Sequence, residues 1–280
     1  MRLRFAGHLG LRDPLRPLFA ELAGSDDPTA QIAWLGEHGF AGVFDNGLSA
    51  RPEAEQIAIG EAARRHGLAF GSIALDPVGW ATPLWSRTDA ASRERQREVV
   101  EFALEAAARV GGRTISCVTG LVSDEPAGAQ CDAMADNLAR VAHLASEKGV
   151  MLCVEPVAPD FIPGLLVRRL DEALTIVERA SHPAIRVAYD VGHIAMTGDD
   201  PVAGIGKASA LIGLVQIADA PGRADPGAGT IDWTALFAAL EATGYTGLIE
   251  VETLPMEPGR EGEAALLARL QDLDTRTEGE

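Results

Sequence analysis

Eight short apolar runs recur along the chain, at residues 3–6, 42–45, 69–75, 114–118, 151–157, 186–190, 214–219 and 248–253, with longer amphipathic segments between them. The runs are continuously apolar rather than alternating. That pattern suits strands covered on both faces, as in a parallel sheet flanked by helices. The intervening segments include PEAEQIAIGEAARRHG, SRERQREVVEFALEAAARVGG, CDAMADNLARVAHLASEKG, RLDEALTIVERAS and DWTALFAALEATG, whose apolar residues return at helical spacing. Several close on glycine, and Asp171 and Asp232 stand where helix N-caps or first-turn acids belong. Eight such units in 280 residues leave about 35 residues for each. The natural solution is an α/β fold with a single (β/α)8 TIM barrel over residues 1–280. A doubly wound open sheet is second, because no strand is followed by GxGxxG or GxxxxGK(S/T). No repeat or linker divides the chain, and residues 273–280 read as a frayed tail.

The formal net charge of −17 opposes binding to phosphate backbones, so no nucleic-acid partner is expected. The three cysteines, Cys117, Cys131 and Cys153, form no CxxC motif and fit a reducing, cytoplasmic setting. Charges and prolines interrupt the N-terminal stretch before a signal-peptide core could form, and no segment approaches the apolar length of a membrane span.

One run contains a contradiction. In LIGLVQIAD, residues 211–219, Gln216 sits in the middle of a strand built for burial. A buried side-chain amide needs partners. Three carboxylates occupy matching places on neighbouring runs: Glu155 in MLCVEPV, Asp190 in RVAYDVGH and Glu252 in LIEVET. From Glu155 to Asp190, Gln216 and Glu252 the steps are 35, 26 and 36 residues, each about one βα unit. Four polar side chains should therefore project from four neighbouring strands at the C-terminal rim, where barrel enzymes place their chemistry. Crowded carboxylates stay ionised only beside positive charge. A divalent cation would supply it, and an all-oxygen set suits Mg2+ or Mn2+ better than Zn2+. Any one of these residues taken singly fits better as a core polar group with its own partner; four in phase favour the metal.

Arg223 follows Gln216 by seven residues in the loop ADAPGRADPGAGTIDW. Its guanidinium is placed either to clamp a substrate oxyanion or to bridge loops. His193, three residues after Asp190, could donate to a substrate oxygen. Trp80 and Trp85 lie in the loop DPVGWATPLWSR, where they either cover a small substrate or pack the loop onto the barrel. His8 ends the first strand and is a further candidate for the pocket.

The motifs VEP, YDVGH, VQIADAPGR with its following PGAG, and the final VE resemble the sugar phosphate isomerase/epimerase superfamily of xylose-isomerase-like barrels, most closely its hydroxypyruvate isomerase branch. The resemblance runs in motif detail from Met151 to about Met256. It implies that Glu155, Asp190, Gln216 and Glu252 bind one divalent ion (Mn2+ or Mg2+, with Co2+ as a further option), that Glu155 and Glu252 form the acid/base pair, and that His193 and Arg223 contact substrate. The implied reaction moves a proton between adjacent carbons of a small α-hydroxycarbonyl compound, a hydroxypyruvate-like acid or a sugar, through a metal-stabilised enediolate. It also admits a homo-oligomer. Three positions depart from the branch. Glu250 stands where a small or apolar residue is usual, Thr253 stands where Tyr is common, and VAPDFIPGLLV lacks the substrate glutamate of the ketose epimerases. Competing expectations are a lyase on the same metal site, a histidine-rich three-metal nuclease and a non-catalytic sugar-binding barrel.

Overall fold

The computed structural model describes residues 1–11 and 14–276. Among the described residues nine strands are present: β1 (Phe5–His8), β2 (Gly42–Phe44), β3 (Ala69–Phe70), β4 (Ser72–Ala74), β5 (Thr114–Cys117), β6 (Met151–Val154), β7 (Ile185–Asp190), β8 (Ile212–Ile217) and β9 (Ile249–Val251). They pair in the order β3-β2-β1-β9-β8-β7-β6-β5-β4, and every pairing is parallel. β3 and β4 are two halves of one expected strand, parted at Gly71. The first half pairs with β2 and the second with β5. The backbone of residues 69–74 thus joins the two ends of the sheet, and the nine strands make an eight-membered barrel.

The glycine at this division has a visible reason. A Cβ on Gly71 would lie 2.2 Å from Glu250 Oε1, inside the barrel. Glu250 is fully buried and cannot swing into solvent. Gly71→Ala is therefore expected to cost about 1–3 kcal/mol, the usual range for overpacking a filled core. Urea denaturation of the variant beside the native chain measures it.

The amphipathic segments form the outer helices Glu53–Arg65, Ala90–Val110, Ala127–Glu147, Leu170–Ala180 and Trp233–Ala242. Asp232 caps the last of these by accepting from Ala235 N at 3.0 Å, and Asp171 lies in the first turn of Leu170–Ala180. Gly111 ends Ala90–Val110 in the left-handed conformation at φ 78°. No helix among the described residues is long and apolar enough to cross a membrane.

The chain's end departs from expectation. The helix Gly259–Arg276 continues through the supposed start of the frayed tail. Leu273 is buried, and the Asp274 carboxylate accepts from the backbone N–H groups of Arg2 and Leu3 at 3.0 and 2.6 Å. Residues 277–280 of that expected tail lie outside the described residues.

The register sets the height of the polar residues. Asp190 pairs with Gln216, and Gln216 with Glu250. Glu155 and Glu252 stand one residue beyond β6 and β9, where their N–H groups still donate to Cys117 O at 3.1 Å and Ile217 O at 3.0 Å. Pro156, which has no N–H to donate, follows Glu155 directly.

Candidate active site

Asp190 is both the last residue of β7 and the N-cap of the short helix Val191–Met196. Its Oδ1 accepts from His193 N at 2.7 Å and from Arg223 Nη1 at 2.8 Å. Its Oδ2 is buried and receives no N–H or hydroxyl among the described residues, and the Glu252 carboxyl lies beside this carboxylate. Burial alone would raise this carboxyl, but the guanidinium beside it and His193 hold it well below the usual carboxylate range.

Arg223 reaches the rim on a loop built around Asp219. That carboxylate is buried and accepts from Ala220 N at 2.8 Å, Gly227 N at 2.9 Å, Ile231 N at 3.2 Å and Trp233 Nε1 at 2.8 Å. Asp219 and Ala224 also exchange both backbone hydrogen bonds, which closes the turn. Arg223 sits at its tip with φ 58°, a left-handed conformation uncommon for a residue with a side chain. The turn aims the guanidinium inward. Besides Asp190, it donates from Nη2 to Glu252 Oε2 at 2.8 Å and to the Glu252 carbonyl. Its Cζ lies 5.5 Å from the centroid of Phe161, and that ring packs 5.4 Å from the His193 ring. Burial opposes the charge, but Asp190 and Glu252 together raise Arg223, so it stays protonated.

Glu252 takes Arg223 on one oxygen and Asn46 Nδ2 on the other, at 2.8 Å. Glu155 takes the Ser116 hydroxyl on Oε2, while its Oε1 faces His193 Nε2 at 3.9 Å. Gln216 donates from Nε2 to Glu250 Oε2 at 3.4 Å, and its Oε1 has no partner among the described residues. Glu155, Asp190 and His193 also bring donor atoms within 4.8 Å of one another. The structure thus gathers Glu155, Asp190, His193, Gln216, Arg223 and Glu252 at one rim. Arg223 bridges the protein's own carboxylates there.

Two further sequence candidates lie differently. His8 is buried, and its Nε2 is 3.1 Å from the Thr253 carbonyl, a link between β1 and the segment after β9; its Nδ1 has no partner among the described residues. Trp80 is half-buried in the turn after β4, and none of the cluster's hydrogen bonds or ring contacts given above includes it. Trp85 is buried, and its carbonyl accepts from Asn137 at 2.9 Å, so it packs the loop onto the helices.

Three contributors escaped the sequence reading. Ser72 and Ser116 sit inside apolar runs, as Gln216 does, and the same reasoning would have found them. Asn46 lies in DNG, which reads as a turn, and nothing local separates its role from that of an ordinary loop residue.

Burial pushes Glu155 up to about 7, with Asp190 adding repulsion, and pushes Glu250 up to about 8. It also raises Glu252. The folded, metal-free chain therefore holds protons near neutral pH that the unfolded chain releases. For a carboxyl raised on folding, the contribution is complete below the unfolded value and is lost as pH rises through the folded one. The buried His8 and His193, lowered to about 4, act in the opposite sense below the ordinary histidine value, so above it the metal-free protein is expected to unfold at lower urea at pH 8.5 than at about pH 7. A flat or rising midpoint across that window would contradict this assignment.

An α/β barrel with an acidic, arginine-bridged cluster at the C-terminal rim is the class that this fold and site define. The model of the xylose isomerase-like TIM barrel family matches residues 32–272, and the chain belongs to that family. It is similar to a 2-oxo-tetronate isomerase of Cupriavidus necator, 29% identical over 192 residues, covering 68% of this chain and 74% of the relative. It is also similar to a hydroxypyruvate isomerase of Escherichia coli, 28% identical over 166 residues, covering 58% of this chain and 63% of that one. Among solved structures, a family 2 AP endonuclease of Brucella melitensis superposes with a TM-score of 0.78, at 23% identity, covering 95% of this chain and 98% of that one. At that identity the likeness speaks to the fold alone.

Proposed function

We propose that the chain is a divalent-cation-dependent isomerase or epimerase acting on a small α-hydroxycarbonyl compound, of the hydroxypyruvate or related hydroxy-keto-acid kind. The observation that carries this reading is a pair of buried acceptors that no N–H or hydroxyl meets among the described residues, Asp190 Oδ2 and Gln216 Oε1, on neighbouring strands. Buried polar atoms without partners are costly, and a cluster of acceptors is matched by a cation. Three carboxylates face the single positive charge of Arg223, so one arginine leaves the cluster under-neutralised. The donor set is hard and oxygen-rich and suits Mn2+ or Mg2+, with Co2+ as a further option. Glu155, Asp190, Gln216 and Glu252 would hold the ion. When bound, it would offset the negative charge that develops on substrate oxygens.

The remaining chemistry belongs to the chain. Glu155 has one oxygen tied to Ser116 and the other directed towards His193, and burial raises its proton affinity into the range of a useful base. It removes the proton from the hydroxyl-bearing carbon. Glu252, steadied by Arg223 and Asn46, returns a proton to the neighbouring carbon for isomerisation or to the opposite face for epimerisation. Arg223 keeps further N–H donors for a substrate carboxylate or oxyanion. Neither His193 Nδ1 nor His8 Nδ1 has a partner among the described residues: His193 Nδ1 is a donor or acceptor for a substrate oxygen, and His8 Nδ1, opposite an Nε2–H that faces the Thr253 carbonyl, is an acceptor for a substrate hydroxyl. Trp80 covers the substrate from the loop after β4. Arg223 is the one cation in the cluster among the described residues, which favours an unphosphorylated substrate. The names of the two relatives support the isomerase assignment.

Incubating the Mn2+-supplemented protein with hydroxypyruvate in D2O tests the reading. Deuterium should enter the hydroxyl-bearing carbon, and tartronate semialdehyde should appear, both detected by NMR. Absence of exchange with hydroxypyruvate and with other short hydroxy-keto acids and ketoses would overturn it.

A further inference from the structure

We infer that Glu250 fixes which end of the Gln216 amide faces the rim, making it a positioning residue for the cation site. This inference rests on the cation-binding reading given above. A side-chain amide has a donor end and an acceptor end of nearly equal shape, and its surroundings decide which way it turns. Left to the rim alone, Gln216 would turn its NH2 group towards the carboxylates of Glu155 and Asp190. That orientation would present a donor where a cation needs an oxygen. The structure shows the reverse. Nε2 donates to Glu250 Oε2 on the neighbouring strand at 3.4 Å, and Oε1 is left without a partner among the described residues. An acceptor on β9 holds the donor end and leaves the oxygen free.

Glu250 is itself held. It is fully buried at the same register level as Gln216. Its Oε1 accepts from Ser72 N at 2.6 Å and its Oε2 from Ser72 Oγ at 2.6 Å. Space for it comes from Gly71, where any Cβ would meet Oε1 at 2.2 Å. Gly71, Ser72, Glu250 and Gln216 therefore act as one unit, in which the break between β3 and β4 makes room for the carboxylate and the carboxylate orients the amide.

The test is the Mn2+ dissociation constant of the intact protein, read from the EPR signal of free Mn2+, with melting temperature followed in parallel. Glu250 can turn a proton on Oε2 to Ser72 Oγ and still accept from Gln216, whereas Glu250→Gln must keep its oxygen on Ser72 N and so faces Gln216 with an NH2 group, which releases the constraint while keeping the volume. The variant should weaken Mn2+ binding by about 10–100-fold, the range seen when a partner of a metal ligand is removed. Gln216→Met should weaken it to a similar degree. The double variant Glu250→Gln/Gln216→Met should be no weaker than Gln216→Met alone, because Glu250 acts through that amide. Ser72→Ala, which removes one anchor of Glu250, should give a smaller loss in the same direction and serves if Glu250→Gln folds poorly. Native-like Mn2+ affinity in Glu250→Gln or Ser72→Ala, with Gln216→Met weakened, would overturn this inference alone. So would losses that add fully in the double variant. Absence of Mn2+ binding by the native chain would overturn the cation reading and this inference with it.

Discussion

Glu155→Gln is expected to lower turnover by about 10²–10⁴-fold, the usual contribution of a positioned acid/base. The substitution keeps the size of the side chain and can keep a hydrogen bond to Ser116, so the fold should survive. It removes the ability to accept a proton. Glu252→Gln should fall in the same range for the overall reaction. The two can be told apart by the solvent label. If Glu155 removes the proton and Glu252 returns it, deuterium wash-in at the first carbon should fall most in Glu155→Gln. Equal wash-in for native protein and Glu155→Gln would move the base elsewhere.

Arg223→Met carries the largest expected effect on stability. Arg223 bridges Asp190 and Glu252 with all three groups largely buried. Removing the cation leaves two buried carboxylates facing each other, and breaking such a pair typically costs about 3–5 kcal/mol. The metal-free variant should unfold at clearly lower urea than the native chain. Added Mn2+ should recover part of the loss, because it supplies positive charge to the same carboxylates. A metal-free variant as stable as the native chain would mean that the bridge contributes nothing net. Arg223→Lys should fall between the two, since an ammonium keeps the charge but not the fork that reaches both carboxylates.

The barrel was legible because its signal is repetitive. Eight continuous apolar runs at near-constant spacing leave few topologies, and the family match over residues 32–272 agrees. The rim residues were legible for a related reason: a polar side chain inside an apolar run stands out, and Glu155, Asp190, Gln216 and Glu252 stand out in phase. The cluster that assembles them depends on facts that local sequence does not carry. Arg223 looked equally suited to a substrate or to a loop. Its direction is set by the left-handed turn and the Asp219 hub, which gathers donors from as far as Trp233. The partner of Glu250 was open in the sequence because Ser72 lies 178 residues away and meets it only across the closed barrel. The need for glycine at position 71 was hidden for the same reason, since the side chain that fills the space lies on β9. The helix Gly259–Arg276 runs into the polar stretch DTRTEGE because Asp274, its first residue, meets the backbone N–H groups of Arg2 and Leu3, a contact that local sequence does not carry.

The most direct measurement of the central claim is an Mn2+ titration of the purified, metal-free chain, native beside Asp190→Asn. The account predicts one ion per native chain and a large loss of affinity in the variant, since Asp190 Oδ2 is the buried acceptor most exposed to the want of a partner. No saturable binding by the native chain, or binding that Asp190→Asn leaves unchanged, would contradict it.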